Sequence, residues 1–149
     1  MRLPGDGKTV PILQTPFNET EGRLSPDGRW LAYTSDESGR NDVYVRSFPA
    51  GETKRRISQS GGRQASWRRD GRELVYRTDD GDMMAVAVRT DGGFDASAPQ
   101  ALFRARIQKS FLGRYDYAFT GDGQRFLVNL RLGSEAPPPV HIILNWKRN

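Results

Sequence analysis

The chain has no cysteine and a single histidine, His141. The first absence excludes disulfides and thiolate metal sites, and it leaves the redox state of the compartment open. The second narrows catalysis. Any Ser-His-Asp triad must use His141, which alternates with core positions in "VHIIL" between Val140 and Ile142, and no Gly-x-Ser-x-Gly elbow presents a nucleophile. His141 is therefore read as structural or partner-facing. No Gly-Lys-Ser/Thr follows Gly5-Asp6-Gly7 or Gly121-Asp122-Gly123, so both are hairpin turns and not phosphate loops. The acidic stretches "SDESGRND" and "TDDGD" offer Asp36, Glu37 and Asp42, or Asp79, Asp80 and Asp82. Neither has the spacing or terminal Glu of an EF-hand, so solvated turns are expected, with no metal and no cofactor. Long apolar runs are missing too. No segment approaches the ~18 residues that span a bilayer, and "MRLPGDGKTV" lacks the apolar core of a secretory signal. The expectation is a soluble chain without membrane contact, and its start in mid-hairpin reads as a piece of a longer parent.

Helical periodicity is also scarce. The best candidate, "APQALFRARIQ", is short and opens next to a proline, which favours a strand there. What the chain has instead is short apolar runs such as "LVY", "MMAVAV", "FLV" and "HIIL", separated by most of its 16 glycines and nine prolines. A strand-rich fold with polar turns reconciles those runs with a mean hydropathy of -0.71. The net charge of +5 and pI of 9.9 favour acidic partners without identifying one. Dense basic groups occur only at Lys54-Arg55-Arg56 and in the set Arg63, Arg68, Arg69 and Arg72 around Trp67. In a strand these arginines alternate sides, so a nucleic-acid surface is the lesser reading and Trp67 is expected in the core.

A turn recurs: Ser25-Pro26-Asp27-Gly28, Arg68-Arg69-Asp70-Gly71 and Thr120-Gly121-Asp122-Gly123. The spacings from Asp to Asp are 43 and 52 residues, close to the ~40–50 of a four-stranded propeller blade. Each turn leads into an apolar strand ("RWLAYTS", "RELVYRT", "QRFLVNL"), and a further strand follows each ("DVYVRSF", "MMAVAVR", "VHIILNW"). The N-terminal "LPGDGKTVPILQT" matches "FPAGETKRRISQS" in form, and so supplies the outer strand that the last copy lacks. The fold expected is all-β: three four-stranded propeller blades, half of a six-bladed ring, one of them split between the termini. Its parts are an outer strand at 1–15, blades at 16–59 and 60–106, and the remaining strands of the split blade at 107–149.

The series "QTPFNE", "SPDGRWLAYTSDESGRNDVYV", "WRRDGRELVY", "DGQRFLVN" and "LNW" resembles TolB-like β-propellers, which are WD-repeat-like and built on a PDG turn. It is most similar to the C-terminal blades of bacterial propellers, some fused to a serine/threonine kinase and a membrane segment. The second copy replaces Ser-Pro by Arg68-Arg69, and the third lacks the proline. No kinase motif is present. The resemblance implies interaction, sensing or scaffolding and, for a membrane-anchored parent, an extracytoplasmic place.

Three blades do not close a ring, since propellers have typically 4–8. Two copies give six, with "VPILQT" of one protomer pairing with "VHIILNW" of the other, so the expected partner is a second copy. A propeller's functional surface is usually a channel mouth. There the innermost strands offer Glu21, Arg23, Arg63, Gln64, Tyr115 and Asp116, and "PFNE" adds Asn18 and Glu19. That mixture suits a protein, peptide or polar small ligand, with no catalytic role. The alternative functions are a segment accessory to a hydrolase domain and a basic nucleic-acid surface.

Overall fold

In the computed structural model, residues 11–105, 115–130 and 140–143 are described, the last four by their backbone. The described residues contain strands and turns and no helix. A first antiparallel sheet runs β1 (Glu19–Leu24), β2 (Trp30–Ser35), β3 (Asp42–Ser47), β4 (Lys54–Arg56) in spatial order. In the second, β5 (Arg63–Trp67), β6 (Glu73–Arg77) and β7 (Asp82–Arg89) follow one another. The long β7 then pairs with β9 (Gln100–Arg104) along one part and with the two-residue β8 (Asp95–Ala96) along the other. The third holds β10 (Tyr117–Phe119), β11 (Phe126–Asn129) and β12 (Val140–Ile143). Of the stretch that competed as a helix, Gln100–Arg104 form β9. The expected outer strand over 1–15 falls largely outside the described residues, and 11–15 carry no strand pairing.

The recurring turn has one geometry in all three copies. Gly28, Gly71 and Gly123 have φ of 71°, 72° and 72°, the left-handed region open to glycine. Their amides donate to Ser25, Arg68 and Thr120 carbonyls at 2.9, 2.9 and 2.7 Å. Asp27, Asp70 and Asp122 each accept the amide two residues on, at 3.1, 3.0 and 3.0 Å. The hydroxyls of Ser25 and Thr120 also donate to their aspartates. Where the second copy has Arg68 instead, the guanidinium takes that part, with Nε 2.9 Å from Asp70 Oδ1. Asp27 is held down to about 2 chiefly by Ser25, and Asp70 to about 2 chiefly by Arg68. The departure from Ser-Pro thus conserves the turn by a different donor.

Strand alternation buries the second sheet on both faces. Trp30, Ala32, Val43 and Val45 of the first sheet meet Leu74, Tyr76, Val86 and Val88 of the second. On the other face Val75, Met83 and Ala85 meet Tyr117, Phe126 and Val128 of the third. In β6, Leu74 therefore packs backward and Val75 forward, as period-two geometry requires. Gly62 sits where the chain enters β5. A Cβ there would lie 2.8 Å from the Tyr76 ring and 2.9 Å from Ser58 Cβ, so only glycine lets the Tyr76 ring lie against the chain.

The innermost strands are joined by polar contacts. β1 and β5 each carry a bulge, and at it Glu21 and Gln64 have φ of 59° and 58°. The Glu21 carboxylate accepts the Gln64 amide at 2.8 Å and the Thr34 hydroxyl at 2.8 Å. Gln64 Oε1 accepts the Asp116 amide at 3.1 Å and Arg77 Nε at 3.1 Å. Arg77 and Asp116 pair at 3.2 Å, with side chains 1% and 3% exposed. Burial works against the Arg77 charge, and Asp116 works for it.

Three outcomes follow from this packing. Gly62→Ala should lower stability by about 1–3 kcal/mol through overpacking, read from urea unfolding; an unchanged midpoint would mean that Tyr76 moves aside. Arg77→Met should cost about 3–5 kcal/mol by stranding Asp116, and a neutral result would show the pair to be replaceable. Burial pushes Tyr33 and Tyr76 up to about 12 from 10.0. Their contribution is therefore complete below pH 10 and is lost as pH rises through 12, because the unfolded chain ionises first. Unfolding midpoints that stay level up to pH about 11 would contradict it.

Candidate functional site

The eight positions expected at a channel mouth separate into three groups. Glu21, Gln64 and Asp116 form the seam between sheets, and Gln64 and Asp116 are buried. Asn18, Glu19 and Arg63 lie where the chain enters the innermost strands, each engaged locally. Asn18 donates to Asp36 through its amide at 3.0 Å and its side chain at 2.6 Å, Glu19 accepts from Thr15, and Arg63 pairs with Asp79 at 3.0 Å. Arg23 and Tyr115 come together at the far end of β1, with the guanidinium carbon 4.3 Å from the ring centre.

Around that last pair lies a groove of about 390 Å³, lined by Arg23, Ser66, Trp67, Arg69, Tyr115, Tyr117, Ala118, Phe119 and Gly121. Its aromatic floor is fixed by hydrogen bonds across the sheets. The Tyr115 hydroxyl donates to the Glu21 carbonyl at 3.0 Å and that of Ala65 at 3.3 Å. Trp67 Nε1 donates to the Arg23 carbonyl at 3.1 Å. The Tyr117 hydroxyl reaches the carbonyls of Gln64 and Val75, and its ring stacks on Phe119 at 6.3 Å between centres. Burial raises the Tyr115 hydroxyl against the pull of Arg23, so it stays a neutral donor at ordinary pH.

Two guanidiniums flank this floor. Arg69 comes from the second recurring turn, and its stem passes Gly121, where a Cβ would sit 3.2 Å from Arg69 Cδ. Among the described residues no carboxylate pairs with Arg23 or Arg69, whereas Arg63 and Arg68 are paired with Asp79 and Asp70. A guanidinium beside an aromatic ring and free of an internal acid is suited to carboxylate or phosphate oxygens. Arg69, Trp67 and Phe119 were not among the expected site residues. The signal for Arg69 was there, in the Arg-Arg that replaces Ser-Pro.

The acidic turns are structural. Asp36 holds Asn18, Glu37 holds Lys54 at 2.7 Å, and Asp82 holds Arg104 at 2.7 Å. Asp42 is not a solvated turn residue as expected. It is fully buried, accepts the Gly61 amide at 3.1 Å and pairs with Arg56 at 2.7 Å. No three of His, Asp and Glu gather into a possible metal site among the described residues. His141 stands opposite Val128 in the register of the third sheet. No helix among the described residues is long and apolar enough to cross a membrane.

No protein-family model and no curated protein matches the sequence. Solved structures do. TolB from Acinetobacter baumannii matches 83% of this chain over 29% of its own, at 19% identity and a TM-score of 0.58. An oligogalacturonate lyase from Vibrio parahaemolyticus matches 78% over 31%, at 13% identity and 0.58. A putative TolB from Agrobacterium tumefaciens matches 86% over 44%, at 18% identity and 0.55. The chain thus spans less than half the length of each. At these identities the likeness is one of fold: the described strands share the all-β, propeller-type fold of these neighbours.

Proposed function

We propose that this chain is a non-catalytic propeller module that binds a polar, acid-bearing ligand, a peptide or a small carboxylate, against its innermost strands, in a ring completed by a second copy. The observation that carries the ligand reading is the groove in which Arg23 and Arg69, which pair with no carboxylate among the described residues, flank a floor of Tyr115, Trp67 and Phe119. Such a groove has the mixture of apolar walls and few convergent polar groups that ligand sites share. A peptide acid there would accept from both guanidiniums while its stem lies on the rings.

A catalytic reading has one support. Besides the Vibrio protein, an oligogalacturonate lyase in complex with manganese matches 85% of this chain over 35% of its own. That likeness is one of fold, and no described residue of this chain adds to it. The nucleic-acid reading loses ground for a physical reason. Arg63 and Arg68 are neutralised by acids beside them, which leaves Arg69 and Arg72 of the basic set.

Calorimetric titration with a glutamate tetrapeptide tests the proposal. Hydrogen bonds to charged groups contribute about 1.5–3 kcal/mol, so Arg23→Ala and Arg69→Ala should each weaken binding roughly 10-fold or more. No heat with the tetrapeptide, or affinity unchanged in both variants, would overturn the acid-binding reading.

A further inference from the structure

Equivalent positions of the three repeats make equivalent contacts. Glu21, Gln64 and Asp116 stand 43 and 52 residues apart, the same spacings as the turns. Side chain to amide, each of the first two reaches forward to the next: Glu21 to Gln64 at 2.8 Å, Gln64 to Asp116 at 3.1 Å. Hydrophobic positions obey the same translation. Ala32, Val75 and Leu127 are one forward-facing position; Ala32 is 0% and Val75 1% exposed, but Leu127 is 41% exposed. Leu24, Trp67 and Phe119 are one backward-facing position. Trp67 and Phe119 pack onto the cores behind them, while Leu24 is 48% exposed. The two uncovered leucines are therefore those that the repeat would cover if one more sheet stood at each end.

The two ends are also complementary. Trp67 reaches backward to the backbone of Arg23, and the counterpart of Arg23 on the third sheet is Ala118. Ala118 lines a groove of about 390 Å³ with Arg125, Phe126 and Leu127, where the next sheet's equivalent of Trp67 would seat. That equivalent is Leu24. On the backward end Tyr33 and Tyr44 are already buried within the chain, so the part left to cover is the inner edge at Leu24.

We infer that a second copy of this chain occupies both ends, Leu24 of each protomer seated in the Ala118–Leu127 groove of the other, about a two-fold axis. This rests on the ring in the reading above and supplies its contact. The described residues of one copy form three sheets; two copies give six, and three would exceed the usual 4–8. Because the contact is head-to-tail, closure at two requires each protomer to span half a turn.

The test exploits the absence of native thiols. Light scattering behind size exclusion should give twice 16.8 kDa for the intact chain, and a one-copy mass for Leu127→Lys, with an unchanged far-ultraviolet spectrum. A Leu24→Cys, Ala118→Cys double variant treated with a short bismaleimide should yield a covalent pair, and each single variant only monomer on a denaturing gel. A one-copy mass for the intact chain overturns the inference. So does a ladder of higher multiples, a two-copy mass that survives Leu127→Lys, or a pair that does not cross-link in the double variant. Should the tetrapeptide fail to bind while these results hold, the ligand reading alone falls.

Discussion

The structure depends on a side-chain acceptor held at a left-handed bulge. Glu21 and Gln64 are neither glycine nor asparagine, yet both adopt positive φ, a conformation that costs a non-glycine residue of order 1–3 kcal/mol. Each turns its side chain toward the next sheet and receives the amide of its counterpart there. A glycine would relieve the backbone and remove the acceptor. The bulge and the seam are thus one device, and they align the innermost strands from which the groove is made. Gln64 is its centre, since its side chain also receives Arg77 and contacts Asp116.

Around that polar line the apolar packing is that of a repeat array: one core joins the first sheet to the second, and another joins the second to the third. The second sheet, covered on both sides, carries most of the largest fully buried side chains, Arg77, Tyr76, Leu74 and Met83 among them. Stability of this kind is a sum of sheet and seam contributions. The groove straddles both seams, with Arg23 from the first sheet, Trp67 and Arg69 from the second, and Tyr115 and Phe119 from the third. Its geometry therefore reports on the relative placement of all three.

Much of this was legible in the residues. Pro-Asp-Gly and its variants located the turns, and alternation of apolar residues located the strands they join. Arg23 and Tyr115 were named from their place on innermost strands. What local pattern did not disclose depends on partners far along the chain. Arg77 ends "RELVYR" as an exposed arginine would, and it is buried because Asp116 meets it from another sheet. Asp42 looked like a solvated turn residue until Arg56 and the Gly61 amide enclosed it. The bulges leave no trace in the alternation, since a positive φ at Glu or Gln has no compositional signal. The eight positions were expected together because innermost strands share a channel; the bulges instead turn Glu21 and Gln64 into the seam, which Asp116 completes.

The seam carries a consequence for assembly beyond this molecule. If, as proposed, the forward face fits the backward face of another copy, the array contains no terminator. Lengthening the array by one repeat would reproduce the same two ends, one residue pair still wanting a neighbour. Only curvature, the small rotation from each sheet to the next, distinguishes a closed ring from an open filament. In the proposed two-copy ring, a substitution that flattened that rotation while leaving Leu24 and Leu127 untouched would preserve adhesion and abolish closure, converting a discrete particle into a fibre.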